Sequence, residues 1–75
     1  MEIYNFNFSE DELELIKRVS GIDASRDITD DGADDIYEAV ANELTMNGFD
    51  KNWEYTEIGY ICESIITIIG WIYND

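Results

Sequence analysis

Seventy-five residues with eighteen acids, four bases, no histidine, no proline and a single cysteine give a net charge of −14. So few bases exclude direct nucleic-acid binding, because phosphate contacts need Lys and Arg. The absence of histidine removes the commonest general base and the commonest metal ligand, which points away from an enzyme, and Cys62 alone cannot form an internal disulfide.

Taken in order, Met1 to Phe8 alternates aromatic and polar residues through Tyr4, Asn5, Phe6, Asn7 and Phe8, the period-2 pattern of an extended segment with one aromatic face. With no second good strand behind it, the segment is expected to lie as an arm over the helices, or else to pair with a strand of another molecule. Ser9, Glu10, Asp11 and Glu12 form a capping box, with Phe8 and Leu13 as its hydrophobic staple. A first helix then runs to about Ser20, burying Leu13, Ile16 and Val19, with Glu14 and Arg18 as an i,i+4 pair. Gly21 stops it.

Ile22 to Thr29 reads as a polar connection. The second helix begins between Thr29 and Asp31 and ends before Gly48, read as another stop glycine. Ala33, Ile36, Tyr37, Val40 and Leu44 share its apolar face; Asp31, Asp34, Asp35 and Glu38 share the opposite one. Phe49 to Tyr55 is a loop carrying Trp53 and Tyr55 towards a third helix capped by Thr56.

That helix has a broad apolar face of Ile58, Ile61, Cys62, Ile65, Ile66, Ile68, Ile69 and Ile72. A stripe this wide fits a helix flanked by two others, or one that also meets a partner. Its isoleucines lower helix propensity, so a β run is the competing reading. A membrane span is excluded because Glu63 interrupts the run early and no Lys or Arg follows it. The first residues lack the basic start and apolar stretch of a signal peptide, so a cytoplasmic location is expected. The expected fold is all-α: one domain, a small three-helix bundle with an extended N-terminal arm at 1–8 and helices at about 10–20, 30–47 and 57–73. A core this small should be marginally stable without a partner, and the apolar face and aromatic arm leave a homodimer open.

Three constellations are candidates for function. The carboxylates of Asp31, Asp34, Asp35 and Glu38 stand ~5–6 Å apart on a helix surface, on the scale of phosphates along a nucleic-acid strand. They suit a basic groove, and Glu10, Asp11, Glu12 and Glu14 add a second acidic cluster. Trp53, Tyr55, Tyr60 and Trp71 are large, rigid, hydrogen-bonding side chains of the kind that anchor interfaces, with Ser64 and Thr67 beside them. Their competing role is to cap the core. Finally, Asp27 to Glu38 resembles a calcium-binding EF-hand loop, with Asp27, Thr29, Asp31, Asp35 and Glu38 at ligand positions and Gly32 at the turn. It departs from that pattern at Asp34, where an apolar residue is usual, and at Thr29. No other cofactor is expected.

Gly48-Phe49-Asp50, Tyr55-Thr56, Gly59, Glu63 and Ile66 resemble the C-terminal ending of small acidic phage and prophage reading frames. Size, acidity and lack of catalytic residues resemble phage anti-defence inhibitors, including anti-CRISPR proteins and DNA mimics. The resemblance implies a non-enzymatic inhibitor acting in a bacterial host cell on the basic, nucleic-acid-binding surface of a defence nuclease such as a CRISPR effector. Bacterial nuclease-immunity proteins are similar too, opening on a capped acidic turn like Ser9 to Leu13. Their Tyr-Tyr-Pro segment is absent here, which places an immunity or antitoxin protein against a basic toxin second and a calcium module third.

Overall fold

A computed structural model describes residues 3–73, with side chains through residue 70. In chain order it forms β1 (Ile3–Tyr4), α1 (Glu10–Ser20), β2 (Ile28–Thr29), α2 (Asp30–Asn47) and α3 (Glu57–Tyr73). The fold is mixed: largely helical, at 63%, but with a two-stranded antiparallel sheet, so the all-α expectation is corrected. The sheet pairs Ile3 with Thr29 and Tyr4 with Ile28. Its second strand is only two β-branched residues long, too short to show a period in the sequence. Thr29 is already extended, at ψ 169, because it is also the N-cap of α2. The entry to a capped helix thus supplies the edge on which the arm pairs, within one chain.

Beyond β1 the aromatic face of the arm turns inward. Phe6 and Phe8 are buried, Tyr4 is half-buried, and their rings follow one another at 5.7 and 5.4 Å. The polar face points out, where Asn5 Nδ2 donates to Asp27 Oδ1 at 3.2 Å. The connection after α1 is also less polar than its composition suggests, since Ala24 and Ile28 are buried in the core.

The start of α1 follows from its capping box. Glu12 N donates to Ser9 Oγ at 3.3 Å, and Ser9 N donates to Glu12 Oε1 at 2.7 Å. The other oxygen of Glu12 accepts from Ser64 Oγ of α3 at 2.6 Å. A buried carboxylate is tolerable only when its oxygens are satisfied. Here the cap that starts α1 also ties it to α3. Leu15, missing from the expected face, is buried beside Ile16, while Leu13 and Val19 are half-buried at its edge. Arg18 does not pair with Glu14: its Nη2 reaches Glu43 Oε2 of α2 at 3.0 Å.

Helix α3 packs against both α1 and α2. Cys62, Ile65 and Ile69 are fully buried against Ile16, Ile36 and Val40, while Ile58, Ile61, Ile66 and Ile68 flank them half-buried. That accounts for the width of the isoleucine face without a partner molecule. The side chain of Ile72 lies outside the described ones. Each helix therefore touches the other two, and the solvent face of α2 points away from the seam between α1 and α3.

Two glycines set the α2–α3 turn. Gly48 has helical backbone, φ −82, rather than the left-handed conformation of a stop glycine. It is small because a side chain there would run into Leu44. A Cβ on Gly59 would collide with the Gly48 carbonyl, so α3 comes as close to α2 as backbone permits. Thr56 fastens the contact: its N–H donates to Gly48 O at 2.9 Å and its hydroxyl to Asn47 O at 2.8 Å. Its oxygen then accepts from Gly59 N at 3.1 Å, capping α3.

Gly59→Ala should destabilise the domain by about 1–3 kcal/mol, as overpacking does. Gly21→Ala meets open space but takes a left-handed φ of 77, and should cost about 1–2 kcal/mol. Urea unfolding of both variants checks the order: if Gly59→Ala is neutral, the close approach does not set the turn.

Candidate functional site

Asp50 builds the loop between α2 and α3. Its N–H donates to Glu54 O at 2.9 Å, and its carbonyl accepts from Trp53 N at 3.0 Å. One oxygen of its carboxylate accepts from Asn52 N at 2.8 Å and Glu54 N at 3.1 Å. Phe49 and Tyr55 face each other across the turn as a single antiparallel bridge. This geometry forces Trp53 to φ 64, a left-handed backbone that glycine adopts freely and a bulky residue rarely does. The cost is about 1–2 kcal/mol. Burial does not offset it, because Trp53 is 82% exposed.

The same turn lines up a ladder of rings. Trp53 lies 6.2 Å from Phe49, Phe49 stacks on Tyr55 at 5.0 Å, and Tyr55 meets Tyr60 of α3 at 5.3 Å. Trp53, Tyr55 and Tyr60 are all exposed, so they do not cap the core. The Glu63 carboxylate beside it, as an acceptor for the phenol O–H, holds the Tyr55 phenol above its ordinary value of 10.0 by favouring the protonated form. An open groove of about 640 Å³ follows, lined by Tyr55, Tyr60, Glu63, Ser64, Thr67 and Ile68.

Tyr60 belongs to two neighbourhoods. On its other side it shares a smaller groove with Asp11, Glu57 and Ile61. Asp11 and Glu14 in turn line a shallow cleft with Leu15, Arg18, Ile58 and Ile61. Asp11 and Glu14 of the α1 acidic cluster and the aromatic ladder thus lie along one continuous surface on the α1–α3 seam, and Glu10 is exposed at the start of α1. The ridge of Asp31, Asp34, Asp35 and Glu38 is exposed on α2, and none of its residues lines these grooves. Trp71 is in the last turns of α3, and its side chain lies outside the described ones.

The calcium-loop resemblance fails on backbone geometry. Residues 30–38 are the first turns of α2 instead of a loop wrapped around an ion. Thr29 Oγ1 accepts from Gly32 N at 3.2 Å as the helix cap, and Asp27 is bonded to Asn5. Among the described residues no three His, Cys, Asp or Glu side chains converge to hold a metal. Cys62 is buried, and desolvation pushes its thiol up, away from the thiolate that a nucleophile needs.

Phe49, Glu57 and Glu63 belong to the surface, but the sequence did not group them with the candidate site residues. In the sequence Glu63 stands out as the charge that interrupts an apolar run and as part of the phage-like ending; its position beside Tyr55 depends on the loop. Among the described residues no helix is long and apolar enough to cross a membrane. Comparison with protein-family models, curated proteins and solved structures finds no match to this chain.

Two measurements probe the loop. Trp53→Gly removes the backbone strain and an exposed ring, so it should leave stability unchanged or raise it by up to about 1 kcal/mol. A clear fall in the urea midpoint would mean that the ring is structural. The Tyr55 phenol should ionise above an ordinary tyrosine when absorbance is followed against pH, and Glu63→Gln should bring it back down. Any stability gained from the bond is present below pH 10 and lost as pH rises through the higher folded value.

Proposed function

We propose that this protein is a non-enzymatic acidic inhibitor that binds the basic, nucleic-acid-binding surface of another protein. Its target is a bacterial defence nuclease such as a CRISPR effector, and its origin a phage acting in the host cytoplasm. The observation that carries this reading is the ridge on α2. Asp31, Asp34, Asp35 and Glu38 are exposed together on a helix that also holds Asp30 and Glu43 and has no Lys or Arg along its 18 residues. A fixed row of like charges opposes folding slightly, and it repays that cost by steering a basic partner into contact. Helical backbone holds the row in place, as a nucleic-acid strand holds its phosphates.

The α1–α3 seam adds acids and exposed aromatic rings. Such a pairing suits an interface with long-range attraction at its rim and rings for short-range affinity. Because the ridge and the seam face different ways, a target engaging both must close around the domain. A flat surface meets one of them.

The test is capture of partners from a bacterial lysate at low salt, with wild type and with the variant Asp31→Asn, Asp34→Asn, Asp35→Asn, Glu38→Gln as parallel baits. The expected partner is a nucleic-acid-binding protein released by rising salt and by competing nucleic acid, with at least tenfold less retained on the variant. Circular dichroism should show the variant folded, since all four side chains are exposed. Equal retention on both baits contradicts the proposal. A captured toxin encoded beside this protein would replace the defence nuclease with an immunity role.

A further inference from the structure

The groove beyond Tyr55 has a chemistry of its own. Tyr55 closes one end from the loop, and Tyr60, Glu63, Ser64, Thr67 and Ile68 line it at spacings of three and four along one face of α3. The Tyr55 and Tyr60 rings touch, with centroids 5.3 Å apart, and the Glu63 carboxylate lines the groove beside them. Glu63 is exposed and lies beside Tyr55, whose phenol it holds above its ordinary value.

No cation of this chain is paired with Glu63 among the described residues. Arg18 is bonded to Glu43 and Arg26 to Asp23. The groove therefore presents a negative, aromatic-walled cleft on a protein whose charge of −14 selects basic partners.

We propose that this groove is a guanidinium site: it takes an arginine side chain from the protein partner, with the Glu63 carboxylate as counter-ion and the exposed faces of the Tyr55 and Tyr60 rings as the stacking surface. Arginine fits better than lysine on three counts. Its planar fork meets a carboxylate through two parallel hydrogen bonds, its flat face stacks on tyrosine, and it is more weakly hydrated than an ammonium. Its methylene stem also finds apolar surface at Ile68 and the Thr67 methyl group. The strained, exposed Trp53 extends the aromatic wall and adds a surface for residues flanking that arginine.

This inference rests on the basic-partner reading, but its test does not need the partner. Isotope-labelled protein is titrated with Nα-acetyl-arginine amide, and in parallel with the blocked lysine and blocked leucine amides, while backbone amide shifts are followed by NMR. Arginine is expected to shift residues 53–55 and 60–68 with an affinity on the order of millimolar, as befits one side chain. Lysine should bind at least fivefold more weakly, and leucine should leave these residues unmoved. Glu63→Gln should weaken arginine about tenfold. Tyr60→Leu, which keeps apolar bulk but removes the π face, should weaken it severalfold.

Equal shifts with arginine and lysine would overturn the site in favour of a plain charge effect. Shifts with leucine would make it an apolar groove, and no shift with arginine would remove it. If arginine binds but the α2 variant retains its lysate partners, the ridge proposal fails and the guanidinium site stands. The reverse result fails the site alone.

Discussion

Gly59 against the Gly48 carbonyl is the contact on which the arrangement depends. Because neither residue carries a side chain, the end of α2 and the start of α3 meet backbone to backbone, and Thr56 bonds both. The short gap left for residues 49–55 can then be closed only by a tight turn. Asp50 organises it, Trp53 is pushed into left-handed backbone, and Phe49 and Tyr55 are brought face to face. A side chain at Gly59 would push the helices apart and with them the ring ladder that ends on Tyr60. The functional candidates on the α1–α3 seam thus depend on the packing of a different helix pair.

Charge is distributed with the same economy. The one buried carboxylate among the described core residues, Glu12, has its oxygens satisfied by Ser9 and Ser64 and locks α1 to α3. Arg18 and Arg26 are held by acids of the same chain: Arg18 by the largely covered Glu43 of α2, and Arg26 by Asp23 in an exposed pair that adds little stability. What remains outward is almost wholly negative. Self-repulsion of that size works against so small a core, and the proposed basic partner would relieve it on binding. The strain at Trp53 has the same character: a local cost at an exposed position that folding alone does not explain.

Helix starts were legible in the sequence because caps are local. Ser9 with Glu12, and Thr29 and Thr56 with the amides three residues on, need nothing from the rest of the chain. The core faces of α2 and α3 were legible because apolar residues recur at helical spacing, except that Tyr37, expected on the α2 core face, is exposed. The sheet was not. Its second strand is two residues that read as loop, and only the pairing of Ile3 with Thr29 and Tyr4 with Ile28 gives them a partner. Nor was Arg18–Glu43, since a salt bridge between helices depends on how they cross. The exposed acids and tyrosines could be named from sequence, but their grouping could not. Asp11, Tyr60 and Glu63 share a surface only because α1 and α3 lie side by side, while the α2 ridge faces elsewhere for the same reason.

The central claim is that this protein occupies the place of a nucleic acid on its target. The most direct measurement is fluorescence anisotropy of a labelled oligonucleotide bound to the captured target, titrated with this protein at fixed ionic strength. Competitive displacement is predicted: anisotropy falls to that of the free oligonucleotide, and the midpoint rises in proportion to added target-bound nucleic acid. A stable ternary complex, with anisotropy that rises or stays level while this protein binds, would contradict it.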